Sequence, residues 1–142
     1  MIKDAVISIK GVQGIDGDTD TIEFITDGRF GIKDGSYFIS YDESGMLDSG
    51  EEVKTQIFIK NENSVVLQRT GAIKSRIMIE TGNRNTCFYS TPHGDLMIGV
   101  FGDVIENNLT DDGGEIKLKY TIDSNLSVIS KNEVNISVRE VK

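Results

Sequence analysis

The sequence predicts an all-β protein, an antiparallel meander of about 8–10 strands closed into a β-barrel, with residues 1–142 forming a single domain. Apolar and polar residues alternate with a period of two along most of the chain, whereas no segment shows a convincing helical period. Turns rich in Gly, Asp and Asn separate these segments. An open sheet of this length would leave two long edges exposed, and closure removes both. A two-sheet sandwich predicts nearly the same alternation and is the alternative.

The strand pattern is clearest near the start of the chain. Ala5, Ile7 and Ile9 share the phase of a first strand that ends near Gly14, and residues 22–32 form a second strand long enough that we expect a bend or bulge at Gly28 or Gly31. Asp34-Gly35 predicts a hairpin turn before the return strand. Further strands are predicted at 37–41, 53–60, 65–70, 73–80, 87–89, 96–101, 115–122 and 134–139, with polar loops at 42–52 and 107–114.

Composition limits the classes of function. The net charge is −8 and Lys and Arg form no cluster, which argues against nucleic acid or an anionic membrane as a partner. Cys87 is the single cysteine, so no intramolecular disulfide can form, and this favours a reducing, cytoplasmic location. No segment approaches the apolar length needed to span a bilayer.

Three aspartates near the start of the chain have the spacing that begins a calcium-binding loop: Asp16, Asp18 and Asp20. Such a loop also needs Gly at its sixth position and Glu at its twelfth, where this chain has Thr21 and Asp27. We therefore interpret the segment as an acidic, solvated hairpin rather than a metal site.

Cys87 and His93 are six residues apart, which invites comparison with a nucleophile and its base. Neither an electropositive setting for the thiol nor a third group that would orient the base lies nearby in the sequence, so a small buried thiol is the preferred interpretation. His93 is the single histidine and follows the single proline, Pro92, in a turn between two strands. The sequence therefore predicts no metal, no cofactor and no catalytic residue, and it favours a non-enzymatic role.

Arg69 is the candidate binding residue, because it shares its phase with Val65 and Leu67 and should therefore point into the barrel. A buried guanidinium must be paired or hydrogen-bonded. It either anchors the carboxylate of an amphipathic ligand, or it is a structural plug that bonds backbone carbonyls at the end of the barrel. Its position at a strand end, just before Thr70-Gly71, favours the plug.

Aromatic residues on the same face of their strands complete the predicted site. Tyr37, Tyr41 and Tyr120 share a phase with apolar neighbours in their own strands, so we expect Arg69 to lie near at least one of these rings. A ligand anchor requires an open cavity of a few hundred Å³, roughly the lower end of the range for ligand pockets, whereas a plug leaves no space beside the guanidinium.

The segment Leu96–Phe101 is apolar on both faces, which a half-exposed strand should not be. We expect another part of the chain to cover the outward-facing Met97 and Phe101. The alternative is a sticky patch for a partner or for a second copy of the chain in a homodimer.

Several motifs resemble those of a known family: Tyr37 to Glu43, Arg69-Thr70-Gly71, Thr91-Pro92-His93-Gly94, Gly113-Gly114-Glu115-Ile116 and the strand ending at Tyr120. Their order and spacing are similar to those of uncharacterised bacterial β-barrel proteins typified by YwiB. The resemblance covers nearly the whole chain and implies a lipocalin-like (calycin-like) barrel, but it brings no known activity. Ligand-carrying calycins usually have a Gly-x-Trp and fatty-acid carriers a helical lid, whereas this chain has no Trp and residues 14–20 are too few for a lid.

Two classes of function follow. The first is a non-enzymatic interaction or structural module, with no function assigned to it and a packed interior. The second is a barrel that binds a small amphipathic or acidic ligand in its interior. The interior volume separates them.

Overall fold

Ten strands make up the part of the chain that the computed structural model describes, residues 2–15, 17–42, 53–71, 74–91 and 94–141. Each strand pairs antiparallel with its neighbours in sequence, and β10 pairs with β1, so the sheet is closed. The predicted antiparallel barrel is therefore confirmed, and closure excludes the sandwich. The strands are β1 (Ile2–Ile15), β2 (Asp18–Lys33), β3 (Ser36–Asp42), β4 (Val53–Asn61), β5 (Ser64–Gly71), β6 (Lys74–Glu80), β7 (Arg84–Thr91), β8 (Gly94–Thr110), β9 (Gly113–Ser124) and β10 (Ser127–Glu140).

The core of the barrel consists mainly of β-branched residues on the inner faces of the strands, as the alternation predicts. In β9, for example, Ile116 and Leu118 face the interior and are buried, whereas Glu115, which precedes Ile116, faces outward and is exposed. The largest fully buried side chains of the core are Ile7, Phe30, Ile39, Ile57, Val65, Ile79, Val100, Ile116, Leu118 and Ile136.

Because neighbouring strands run antiparallel, each end of the barrel collects the ends of one set of strands and the beginnings of the other. We call the end at which the odd-numbered strands β1 to β9 finish the open end, and the other the opposite end. At the opposite end Asp34 and Gly35 join β2 to β3 with positive φ angles of 53° and 79°, the geometry expected of the predicted hairpin turn. Candidate residues can therefore be assigned to one end or the other from their place in a strand.

The predicted loop at 107–114 is wrong in its extent, because β8 continues to Thr110 and only Asp111 and Asp112 form the turn. Asn107 pairs with Ile116 across β8 and β9 and accepts a hydrogen bond from the Leu109 N–H at 3.0 Å. A polar residue that satisfies its side chain locally can occupy a strand, and the polarity of the segment conceals this. The predicted loop at 42–52 lies almost wholly outside the described residues.

The prediction that another part of the chain covers Met97 and Phe101 is wrong. Met97 is 59% exposed and Phe101 38% exposed, and Phe88, the neighbour of Met97 on β7, is also exposed. These side chains lie on the outer face of the barrel, because Ile98 and Val100 between them face the core. The structure describes no segment packed over them.

A bidentate ion pair crosses the outer surface from β7 to β9. The Arg84 guanidinium donates to Asp123 through Nε at 2.9 Å and Nη2 at 2.6 Å, passing over Gly99 of β8, where any Cβ would collide with it. Asp123 also accepts a hydrogen bond from the Leu126 N–H in the next turn. The hydrogen bonds from Arg84 hold the pKa of the Asp123 carboxyl below its ordinary value of 3.8.

We predict that the Arg84–Asp123 pair makes stability fall in acid. The folded-state pKa of Asp123 is lowered, so its contribution is present above pH 3.8 and is lost as the pH falls through the folded pKa. Asp123→Asn should lower the urea midpoint at pH 7, and its deficit relative to wild type should shrink at pH 3. An equal deficit at both pH values would contradict this role of the carboxylate.

We also predict that Gly28→Ala destabilises the barrel. The pairing of β2 shows no bulge at Gly28 or Gly31, but a Cβ at Gly28 would collide with the Ser40 carbonyl oxygen and lie 2.8 Å from the Ile7 side chain. Overpacking of this kind costs about 1–3 kcal/mol of unfolding free energy, measurable by urea denaturation. The matched control is Gly11→Ala, because a Cβ there has nothing within 4 Å. Equal effects of the two substitutions would refute close approach at Gly28.

Candidate functional site

A cavity of about 710 Å³ lies inside the open end of the barrel. Its volume falls within the range of small-molecule sites, roughly 300–1,000 Å³. Most of the residues that line the cavity are aliphatic or aromatic, and Arg69 also lines it. Described residues that line it include Ile9, Phe24, Tyr41, Arg69, Ile77, Tyr89, Leu96, Ile98, Tyr120, Ile122, Ile129 and Val134.

Arg69 reaches the cavity from β5, two residues before that strand ends. It follows Val65 and Leu67 on the inner face, as the phase of the sequence predicts, and is half-buried. Arg69 also takes part in an interaction with another part of the chain. Since a guanidinium carries five N–H donors, it can keep such an interaction and still face a ligand.

Strand register places Arg69 in the middle of a row of hydroxyl groups. Thr55 of β4 is its partner on one side and Ser75 of β6 on the other, and both are buried. Tyr41 pairs with Thr55, and Tyr89 pairs with Ser75. Residues directly opposite each other on antiparallel strands share a face, with Cβ atoms about 4.5–5.5 Å apart. We call these five residues the polar row.

Every side chain of the polar row can donate a hydrogen bond to a ligand. None of the five carries a negative charge, and Arg69 carries a positive one. Four hydroxyl groups flank one guanidinium, and every member lies within five residues of the open end of its strand. Hydroxyl and guanidinium N–H groups are suited to an anionic oxygen. The row can therefore recognise an oxyanion.

Tyr120 approaches the cavity from the other side, on β9, where it ends the buried run of Ile116 and Leu118. Phe24 of β2 also lines the cavity and contacts Tyr41 edge to face, with ring centroids 6.1 Å apart. Three of the four predicted site residues, Arg69, Tyr41 and Tyr120, thus line one cavity.

Tyr37 is not brought to that cavity, because it begins β3 at the opposite end of the barrel. Its ring stacks on Phe30 with centroids 5.7 Å apart, and its hydroxyl donates to Asp111 Oδ1 at 3.1 Å. The bond to this carboxylate raises the pKa of Tyr37. Nearby, Lys3 donates to the Asp111 carbonyl oxygen and pairs with Glu140. A role of Tyr37 in ligand binding stays a prediction. The contacts of Tyr37 with Phe30 and Asp111 lie at the opposite end of the barrel.

Thr55, Ser75 and Tyr89 were not identified from the sequence as candidates. Each shares the phase of buried neighbours in its own strand, Thr55 with Val53 and Ile57. That signal shows which side chains point inward, but not which strands bring them side by side. The pairing register was needed to group them with Arg69.

Of the candidates for catalysis and metal binding, Cys87, Asp18 and Asp20 lie in the described part of the chain. Cys87 is buried, its Sγ accepting a hydrogen bond from the Met78 N–H at 3.5 Å. Asp16 and His93 lie outside the described residues. No group of three or more His, Cys, Asp or Glu residues is placed to hold a metal ion among those that are described. The same described residues form no helix long and apolar enough to cross a membrane.

A wider depression of about 960 Å³ lies on the outer face of β1, β2, β8, β9 and β10. Its lining mixes lysines and carboxylates, and Lys117 there already pairs with Glu133 at 3.1 Å. Paired charges on a solvated sheet face are ordinary for a protein surface. The cavity at the open end is therefore the better candidate.

Comparison with known proteins agrees with the fold. A family model described as a domain of unknown function (DUF1934) matches residues 7–136. The "Uncharacterized beta-barrel protein YwiB" of Bacillus subtilis (strain 168) is 29% identical over 114 residues, which are 80% of this chain and 78% of that protein. The crystal structure of the ywiB protein from Bacillus subtilis matches with a TM-score of 0.86 at 25% identity, covering 99% of this chain and 94% of the other. The resemblance inferred from the sequence motifs is thus confirmed, and the chain belongs to the DUF1934 family of β-barrel domains of unknown function.

Proposed function

We propose that the protein is a binding barrel that holds a small amphipathic acid in the cavity at the open end. The observation that carries this proposal is that Arg69, Tyr41 and Tyr120 line one cavity of about 710 Å³. Protein interiors are close-packed, so a barrel that served only as a rigid module would have no need of a void this large. A plug formed by Arg69 would also leave no space beside the guanidinium.

Charge supports an acidic group on the ligand. Arg69 contributes the positive charge among the described residues that line the cavity, and its neighbours in the polar row are hydroxyl groups. A guanidinium presents its donors in a planar fork that matches a carboxylate. The part of the cavity beside Arg69 is therefore suited to an acid group.

Apolar side chains around the cavity support an apolar tail. Ile22, Leu96 and Ile129 line the cavity and yet are 54%, 57% and 43% exposed. Leaving three large aliphatic side chains in water at one opening is unfavourable unless something covers them. A ligand tail that lies against them would bury this surface.

A second candidate function, an interaction module, is favoured by the exposed Phe88 and Met97 on the outer face of β7 and β8. A partner, or a second copy of the chain in a homodimer, would bury these residues. This surface is separate from the cavity, so the two functions are compatible.

We further propose a non-enzymatic role in the cytoplasm. Cys87 is a buried free thiol in a chain with no second cysteine, which is usual for proteins of reducing compartments. Around Arg69 the described residues bring together a cation, hydroxyl groups and apolar surface, which supports a role in binding.

The test combines native mass spectrometry of the protein from cells with thermal melts against a panel of fatty acids and acidic metabolites. We predict that dodecanoate at one hundred times its Kd stabilises the wild-type protein by about 2.7 kcal/mol, seen as a higher Tm. Arg69→Ala should weaken binding by about 10–100-fold, because hydrogen bonds to charged groups contribute about 1.5–3 kcal/mol.

The matched control is Arg76→Ala. Arg76 lies on the neighbouring strand β6, is exposed on the outer face, and should leave dodecanoate binding unchanged. A wild-type protein that retains no ligand from cells and responds to no member of the panel would contradict the proposal. If Arg69→Ala also lowered the stability of the protein, the remaining interpretation would be that Arg69 is a structural plug.

A further inference from the structure

We infer that Thr55 is a second binding residue of this site and that the ligand's acid group is a carboxylate rather than a phosphate. The inference rests on the proposed function and assigns a residue and a ligand class to the same cavity. It starts from one buried hydroxyl group and its place in the polar row.

The hydroxyl of Thr55 lacks a hydrogen bond in the described structure. Thr55 is 2% exposed, and its Oγ1 is buried without a hydrogen-bond partner. Burying an unpaired hydroxyl group is costly, and native proteins satisfy the great majority of such groups. Thr55 is not itself among the residues that line the cavity, but its cross-strand partners Tyr41 and Arg69 are, and a molecule bound between them is the partner that we infer for its hydroxyl.

Register places Thr55 between two side chains that line the cavity. It faces the interior of β4 between Val53 and Ile57, and it pairs with Tyr41 on β3 and Arg69 on β5. Because the Cβ atoms of such partners are about 4.5–5.5 Å apart, a ligand oxygen bound on the Thr55 side of the Arg69 guanidinium would approach the Thr55 side chain. The hydroxyl of Thr55 would donate to one carboxylate oxygen while the guanidinium donates to the other.

The charge around the cavity decides between carboxylate and phosphate. A carboxylate brings one negative charge and two oxygens, which one guanidinium and one hydroxyl can satisfy. A phosphate monoester brings up to two negative charges and three oxygens. Among the described residues that line the cavity, Arg69 brings the positive charge and Asp20 brings negative charge, whereas Glu133 is already paired with Lys117. A second negative charge on the ligand would therefore be poorly compensated.

The experiment measures the Kd of dodecanoate, methyl dodecanoate and dodecyl phosphate by calorimetry. In Thr55→Val a methyl group replaces the hydroxyl at nearly constant shape. We expect this variant to bind dodecanoate about tenfold more weakly, while its urea midpoint stays equal to wild type or rises. Thr55→Ser keeps the hydroxyl and should keep the affinity. The wild-type protein should bind dodecanoate more tightly than either the ester or the phosphate.

Each contrary result has its own meaning. Unchanged dodecanoate affinity in Thr55→Val would overturn the role of Thr55 and leave the proposed function standing; a lowered midpoint with unchanged affinity would assign the hydroxyl to a buried water instead. Tighter binding of dodecyl phosphate would overturn the carboxylate assignment. No binding of dodecanoate by wild type would overturn the proposed function and this inference together. If Thr55→Val does not fold, Thr55→Ala removes the same hydroxyl without requiring the valine to pack.

Discussion

The closure between β1 and β10 is the constraint on which the rest of the structure depends. Ten consecutive residue pairs join the two strands, from Ala5 with Glu140 to Gly14 with Lys131. They satisfy the backbone groups of both edges and turn one face of the sheet into an interior. Without this ladder Arg69 would lie on a solvated sheet face, and no cavity would form beside it.

The interior is not uniform along the barrel. At the opposite end Phe30 and Tyr37 stack, and the Tyr37 hydroxyl bonds to Asp111, so aromatic packing occupies that end. Isoleucine, valine and leucine fill the middle. At the open end the same inward phase carries the polar row, where Thr55 and Arg69 replace aliphatic residues. A core that becomes polar at one end gives up packing there, which is common where a protein binds a ligand.

The outer surface is held by separate means. The Arg84–Asp123 pair spans three strands, and its geometry depends on the absence of a side chain at Gly99. Nearby, Phe88 and Met97 remain exposed although they pair on adjacent strands. The inner and outer faces of β7 and β8 can therefore be changed independently, since alternate residues of these strands serve the two faces.

The sequence alone determined the class of fold and the direction of most side chains, because a period of two records which face of a strand is buried. The phase of Arg69 with Val65 and Leu67, the Asp34-Gly35 turn and the order of the strands all followed from local pattern. Local pattern failed at Asn107–Thr110, where polar residues continue a strand.

Only the tertiary structure decided which inward residues meet. Alternation places Tyr37 and Tyr41 on one face of β3, yet they lie at different ends of the barrel and only Tyr41 lines the cavity. Thr55 and Ser75 are distant from each other in sequence but flank Arg69 directly. The physical reason is register: backbone hydrogen bonds between strands set the neighbours of each side chain, and a single strand contains no record of where its partner begins.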